Sequence, residues 1–230
     1  MNLLFPGAAK DENGATPLGN GHVGLWAYRA GEKETIHLNE CTFWSGGPKD
    51  APDCDFYNRI LSSRKLLLAG KFKEGEKAML QGGKRIDSEE YDPIGDLLIT
   101  TPGEETCGAS LDLSTAVLTV KNKIFSREYF VSYPDKVFVI RMKASKKAKS
   151  AFGFLNKNKG ETEITDKNIT AYGNAIHDGM AFCLYLSVLS DGQGKKNGHP
   201  RLRSSSGICL CKWVRPEWLR RTSNGKTPSG

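Results

Sequence analysis

Phe125-Ser126-Arg127-Glu128-Tyr129-Phe130-Val131-Ser132, a polar turn Tyr133-Pro134-Asp135, and Lys136-Val137-Phe138-Val139-Ile140-Arg141-Met142 together decide the fold. In the second run Val137, Val139 and Arg141 alternate with Phe138, Ile140 and Met142. Apolar side chains in both sets predict a strand buried on both faces, and such a strand belongs between two layers, as in a large sandwich. Residues 116–120 precede it as another β run, and residues 151–155, 168–172 and 180–189 follow. Strand succeeds strand at short spacing without alternating helices, the pattern of an antiparallel sandwich rather than a parallel α/β sheet.

Toward the N-terminus the texture is the same. Val23-Gly24-Leu25-Trp26-Ala27-Tyr28 reads as a strand with Gly31 in the turn after it. Glu34-Thr35-Ile36-His37-Leu38-Asn39 reads as the next, with Ile36 and Leu38 on one face. Between residues 55 and 82 the period changes. Ile60, Leu61, Leu67, Leu68, Phe72, Ala78 and Met79 form an interrupted helical stripe, which Gly70 splits into two helices and Gly82-Gly83 stops. The expected fold class is therefore mainly β, a large antiparallel β-sandwich with a helical insertion near residues 55–82.

The charge is uneven. The chain has 33 Lys and Arg, 26 Asp and Glu and a net charge of +7. Nine of those bases but a single acid, Glu217, lie between Gln193 and Gly230, so residues 1–192 carry a net charge of −1. A neutral body excludes the basic groove of a nucleic-acid binder. Nor does any stretch approach the ~18 apolar residues of a membrane span. Residues 193–230 show neither period, which predicts a body of 1–192 and a basic tail that is disordered, alternatively spliced or translated in a shifted reading frame. The shifted frame is the expectation here.

Met1-Asn2-Leu3-Leu4-Phe5-Pro6 lacks the basic start and apolar run of a signal peptide. As written the chain reads as cytoplasmic, and as extracellular if a leader precedes it; the sequon Asn168-Ile169-Thr170 would matter only there. Cys41, Cys54, Cys107 and Cys183 are widely spaced and read as buried thiols.

Several motifs resolve into ordinary structure. Gly19-Asn20-Gly21-His22-Val23-Gly24 matches G-x-G-x-x-G, yet a strand and not a helix follows, so a turn is expected instead of a dinucleotide site. Cys209-Leu210-Cys211 with His199 offers too few ligands for structural zinc, and His22, His37 and His177 form no ligand motif. No metal or cofactor is expected. Glu40, Asp50, Glu89, Glu90, Asp92 and Asp96 read as solvated or capping carboxylates, because sequence pairs no two of them across a cleft.

One segment stands out. Leu38-Asn39-Glu40-Cys41-Thr42-Phe43-Trp44-Ser45-Gly46-Gly47-Pro48 joins an amide, a carboxylate and a large aromatic to a tight turn. Asn39, Glu40 and Trp44 suit either sugar contact, by stacking and hydroxyl hydrogen bonds, or docking on a neighbouring domain.

With Pro17-Leu18-Gly19-Asn20-Gly21 before it, this segment resembles the opening of glycoside hydrolase family 95, the α-L-fucosidases. Tyr91-Asp92-Pro93-Ile94-Gly95-Asp96-Leu97, Leu111-Asp112-Leu113-Ser114-Thr115-Ala116, Ser126-Arg127-Glu128 and Ser132-Tyr133-Pro134-Asp135 continue the likeness in order. Cys41 and Phe43 depart from the family, which more often has an acid or amide and a leucine there. The resemblance implies an N-terminal domain of the supersandwich type, packing on a helical barrel that this chain lacks. It also implies inverting hydrolysis of terminal α-L-fucosyl linkages in oligosaccharides or polysaccharides, with relatives acting on similar L-sugars. The family's general acid and base-activating residues lie on the barrel, so no catalytic residue is carried onto this chain, and no cofactor is implied. The alternative is a stand-alone carbohydrate-binding or interaction module.

Overall fold

A computed structural model describes residues 1–5, 7, 9–47, 55–80, 89–101, 108–121, 125–145, 150–165, 167–177 and 179–190, together with the backbone of 201–202 and 206–214. Two compact units emerge, one of Gly47–Glu90 and one of Met1–Gly46 with Tyr91–Gly230.

The larger unit holds fifteen described strands. They are β1 (Asn2–Phe5), β2 (Thr16–Gly19), β3 (Val23–Ala30), β4 (Lys33–Glu40), β5 (Gly95–Thr100), β6 (Gly108–Asp112), β7 (Val117–Lys121) and β8 (Phe125–Ser132). After them come β9 (Val137–Ala144), β10 (Ser150–Asn156), β11 (Lys159–Ile164), β12 (Asn168–Asn174), β13 (Ala181–Ser190), β14 (Arg201–Leu202) and β15 (Ser206–Val214). A nine-stranded sheet has the order β1-β6-β7-β8-β9-β15-β13-β12-β11, and a six-stranded sheet the order β14-β10-β5-β4-β3-β2. Adjacent strands are antiparallel, as expected.

Period-2 alternation turns one row of each strand inward. Leu25, Ile36, Leu97, Ile99 and Phe152 of the smaller sheet meet Leu118, Tyr129, Phe138, Ile140, Met142 and Leu184 of the larger in one buried cluster. Each fully buried aliphatic or aromatic residue stabilises by about 1.5–3 kcal/mol. The outer face of β9 is more open than its alternation predicts. Val139 is buried, but Arg141 is exposed and lies 3.5 Å from Glu128 on β8.

The inward row also carries charge, which alternation alone would have sent outward. Glu34, Ile36, Leu38 and Glu40 all face inward on β4, as do Phe125, Arg127 and Tyr129 on β8. Arg127 Nη1 donates to Glu34 Oε2 at 2.6 Å and Tyr129 Oη to Glu34 Oε1 at 2.6 Å. Arg29 Nη2 lies 3.7 Å from the same carboxylate. Arg127 Nη2 donates to Thr101 Oγ1 at 2.7 Å, which lies 2.9 Å from Ser150 Oγ.

In the smaller unit α1 (Phe56–Leu68) and α2 (Phe72–Leu80) occupy the expected helical span and break where expected, but Ile60, Leu61, Leu67, Leu68 and Phe72 of the expected stripe are exposed. Gly70 takes φ +75°, and Lys71 N–H reaches Leu66 C=O at 2.9 Å, closing α1 with the left-handed cap that glycine favours. Ser63 Oγ donates to Gly75 C=O at 2.8 Å, and a Cβ on Gly75 would sit 2.8 Å from Leu67 Cδ2, so the two helices meet closely. Gly82-Gly83 lie outside the described residues.

Two expectations are corrected. The region after Asp191 was expected to lack regular structure, yet the backbone of Ser206–Val214 pairs with both β9 and β13 in the middle of the larger sheet. Ile208-Cys209-Leu210-Cys211 lacks the polar alternation by which strands are recognised in sequence. Residues 193–200, 203–205 and 215–230 lie outside the described residues. Cys41 is exposed, not buried; neither it nor Cys183 is in a disulfide. Cys54 and Cys107 lie outside the described residues.

Arg127→Met leaves the Glu34 carboxylate buried with the distant Arg29 as its remaining described cation. A loss of about 3–5 kcal/mol is expected, read as a lowered urea midpoint. A midpoint within error of the parent would remove the network from the account of stability.

Alkali should act on the same place. Burial first, and the Glu34 charge second, hold the Tyr129 hydroxyl well above its ordinary range. The unfolded chain ionises tyrosine near pH 10 while the folded chain keeps that proton. The contribution is therefore intact below about pH 10 and falls as pH rises beyond it. Tyr129→Phe should flatten this decline in unfolding free energy measured between pH 9 and 11, and an unchanged slope would contradict the assignment.

Candidate functional site

The outer face of the six-stranded sheet carries a cleft built by register. Trp26 on β3 stands opposite His37 on β4, and His37 opposite Asp96 on β5. Because these positions alternate with the inward Leu25, Ile36 and Leu97, packing the core forces them outward. One row further along, Asn39 faces Gly24, which has no side chain to cover it. Trp26, His37 and Asn39 line the cleft with Glu12, Tyr91 and Lys157.

Its polar groups are tied together. His37 Nδ1 is bonded to the buried Asp96 carboxylate, whose other oxygen lies 3.0 Å from Lys157 Nζ. On the opposite side of the ring, His37 Nε2 lies 3.6 Å from Glu12 Oε2. Tyr28 packs on the same imidazole with ring centroids 5.3 Å apart. Trp26 is half exposed above this network, at 50%.

Beside the cleft runs the loop that the sequence singled out. Its three candidate residues separate. Asn39 reaches the cleft, whereas Glu40, next in an alternating strand, turns inward and is 6% exposed. Glu40 Oε2 accepts from Thr42 N–H at 2.9 Å and from Thr42 Oγ1 at 2.5 Å. Trp44 is 44% exposed and meets Tyr91 edge to face, with centroids 5.5 Å apart and an isolated β-bridge between the two backbones. Tyr91 Oη donates to the Glu40 carbonyl at 3.2 Å, joining the loop to the cleft wall. Burial, then the nearby Glu40 and Cys41, raise the Tyr91 hydroxyl above its ordinary range and keep it a donor.

The loop is held from below as well. Phe43 is fully buried against Phe182, and Trp44 C=O accepts from Met180 N–H at 3.2 Å. Asp92 Oδ2 accepts from Ile176 N–H at 3.1 Å, and Gly46 N–H reaches Ile176 C=O at 3.2 Å. Gly179 lies so close that a Cβ there would stand 2.5 Å from the Trp44 carbonyl oxygen.

Of the expectation that Glu40, Asp92 and Asp96 are solvated or capping carboxylates, the solvated part is corrected for all three, which are buried, while Glu40 and Asp92 do accept backbone N–H groups. Asp96 is compensated by His37 and Lys157, Asp92 accepts from Ile176 N–H, and Glu40 accepts from Thr42 through Oε2. Asp50 lies outside the described residues. Of the residues that line the cleft, sequence reasoning missed Trp26, His37 and Lys157. The first two were legible in principle, since both fall on the outward parity of strands already recognised. Lys157 follows β10 and carries no local signal.

The region matched by known proteins covers this whole arrangement. Residues 3–206 match the family model described as glycosyl hydrolase family 65, N-terminal domain. The chain is 29% identical to alpha-L-fucosidase 2 of Arabidopsis thaliana over 164 residues, covering 66% of this chain and 19% of that protein. It is likewise 29% identical to probable alpha-fucosidase A of Aspergillus niger over 182 residues, covering 70% of this chain and 21% of that protein. The chain thus spans about a fifth of the length of these curated relatives.

Gly179→Val should push Trp44 off its seat, because the nearest atoms are backbone and cannot rotate away. A loss of about 1–3 kcal/mol is expected, with a shift in tryptophan emission; a variant as stable as the parent and spectrally identical would show that the loop is not clamped there. The domain match spans most of the sequence, and this chain belongs to the glycosyl hydrolase family 65, N-terminal domain family.

Proposed function

We propose that this chain is the non-catalytic N-terminal β-sandwich of an α-L-fucosidase of the family 95 type, the finer group that its ordered motifs resemble. The observation that carries the reading is the combination of an N-terminal-domain match over residues 3–206 with relatives named as α-fucosidases. In the whole enzyme a carboxylic acid protonates the leaving oxygen while a water attacks the anomeric carbon with inversion. The sandwich supplies neither group. Both oxygens of Asp96 are engaged by His37 and Lys157, and Glu40 is turned inward under Thr42, so these two are poorly placed to exchange protons with a sugar.

Its part is positional. The Asn39–Trp44 loop, clamped as described, forms an edge that packs on the helical barrel and borders the fucosyl site. The chain alone should not hydrolyse 4-nitrophenyl α-L-fucoside, and measurable turnover would overturn the non-catalytic role. Trp44→Ala, made in an intact α-fucosidase carrying this domain in place of its own, should lower kcat/KM about tenfold, or ~1.4 kcal/mol, without moving Tm. Unchanged kinetics would dispose of the loop's role.

One observation favours a second reading, a carbohydrate-binding module. Trp26 presents a half-exposed ring beside Asn39, Tyr91 and Lys157, which suits stacking on a sugar and hydrogen bonding to its hydroxyls. Saturable binding of a fucosylated oligosaccharide by the chain, lost in Trp26→Ala, would favour that reading.

A further inference from the structure

His22 and the consecutive pair Glu40-Cys41, 18 and 19 positions away, converge where β3 begins and β4 ends. Cys41 N–H donates to His22 C=O at 2.8 Å, which extends the β3–β4 ladder by one pair and sets the two side chains together. His22 Nδ1 lies 3.9 Å from Cys41 Sγ, and Cys41 Sγ lies 3.7 Å from Glu40 Oε1. One ligand atom from each of the three lies within 4.8 Å of the others.

A tetrahedral zinc ion, with bonds of about 2.3 Å to sulfur and 2.0–2.2 Å to nitrogen or oxygen, sets its ligand atoms ~3.4–3.6 Å apart. Small side-chain rotations close the remaining gap. A second observation also points to a cation. Glu40 is 6% exposed, and among the described residues no lysine, arginine or histidine forms an ion pair with it. Thr42 occupies its Oε2, while Oε1 has only the weak thiol contact and faces His22 and Cys41. A carboxylate buried in this way calls for a positive partner.

We propose that His22, Glu40 and Cys41 form a binding site for one divalent cation of the zinc class. Imidazole, thiolate and carboxylate together match zinc better than magnesium or calcium, which take all-oxygen sites. Cys41 is exposed, so the fourth position opens to solvent and is filled by water. The ion staples the Gly21 turn to the start of the Glu40–Trp44 loop.

The test uses the whole chain, stripped of metal under reducing conditions and titrated with cobalt(II), then with zinc(II). One equivalent of cobalt should give a thiolate-to-metal charge-transfer band that zinc abolishes, and zinc should raise Tm. Cys41→Ser should remove the band and weaken zinc binding by more than the ~10–100-fold typical of losing an outer-shell partner. His22→Ala should weaken it comparably, and a Cys209→Ser/Cys211→Ser double variant should retain it. The proposal is overturned if the parent shows no such band, if the band survives Cys41→Ser, or if it follows Cys209 and Cys211 instead.

Discussion

The outer face takes its register from a buried carboxylate. Glu34 reaches from β4 across the interior to Arg127 and Tyr129 on β8, with Arg29 beside it. Hydrophobic packing alone tolerates sliding, since one leucine fills another's space at modest cost. A buried carboxylate with a guanidinium and a phenol at 2.6 Å tolerates none. Slipping β4 by one residue would turn His37 into the core and Glu34 to the outer face. Register in β4 then fixes Trp26 on one side through the Trp26–His37 pair and Asp96 on the other through the His37–Asp96 pair. The cleft is thus a consequence of a contact on the opposite side of the sheet.

The loop after β4 is ordered differently. It has little regular structure and is fixed by single contacts from several directions: Phe43 into the core, Tyr91 onto the Glu40 carbonyl, Met180 onto the Trp44 carbonyl. The space under the Trp44 carbonyl is closed by a residue without a side chain. A loop built this way presents its exposed tryptophan rigidly, so a contact made through Trp44 loses little conformational entropy.

Much of the sandwich was legible because its signal is local. The alternation in β8 and β9, the turn at Gly19–Gly24 and the helix break at Gly70 are each written within a few residues. The chain continues from Gly24 as strand, so the G-x-G-x-x-G spacing is only a turn, with Asn20 Oδ1 accepting from His22 and Val23 N–H. What stayed hidden is non-local. Glu34 and Arg127 look like surface residues until two strands 93 positions apart are laid face to face. Asp96 looks solvated until His37 arrives from β4 and Lys157 from just after β10. β15 was missed for another reason, because Ile208-Cys209-Leu210-Cys211 shows no polar alternation and stands among basic residues. In the candidate site the sequence grouped Asn39, Glu40 and Trp44 by proximity, and the pleat then separated them.

That separation assigns different work to neighbouring residues. Along β4 the even positions Glu34, Ile36 and Leu38 build the interior, while the odd positions His37 and Asn39 build the cleft wall. Glu40 continues the inward parity at the strand's end and is 6% exposed. Its carboxylate is left beside Thr42, Cys41 and His22. An inward acid deep in the sheet, Glu34, is compensated by Arg127 from β8 across the interior and by Arg29, its register partner on β3. The inward acid at the strand's end, Glu40, has no such ion pair among the described residues, and its positive partner would come from the turn beside it or from solvent. The same alternation that makes Glu34 a fastener of the sandwich therefore makes Glu40 a place for a cation.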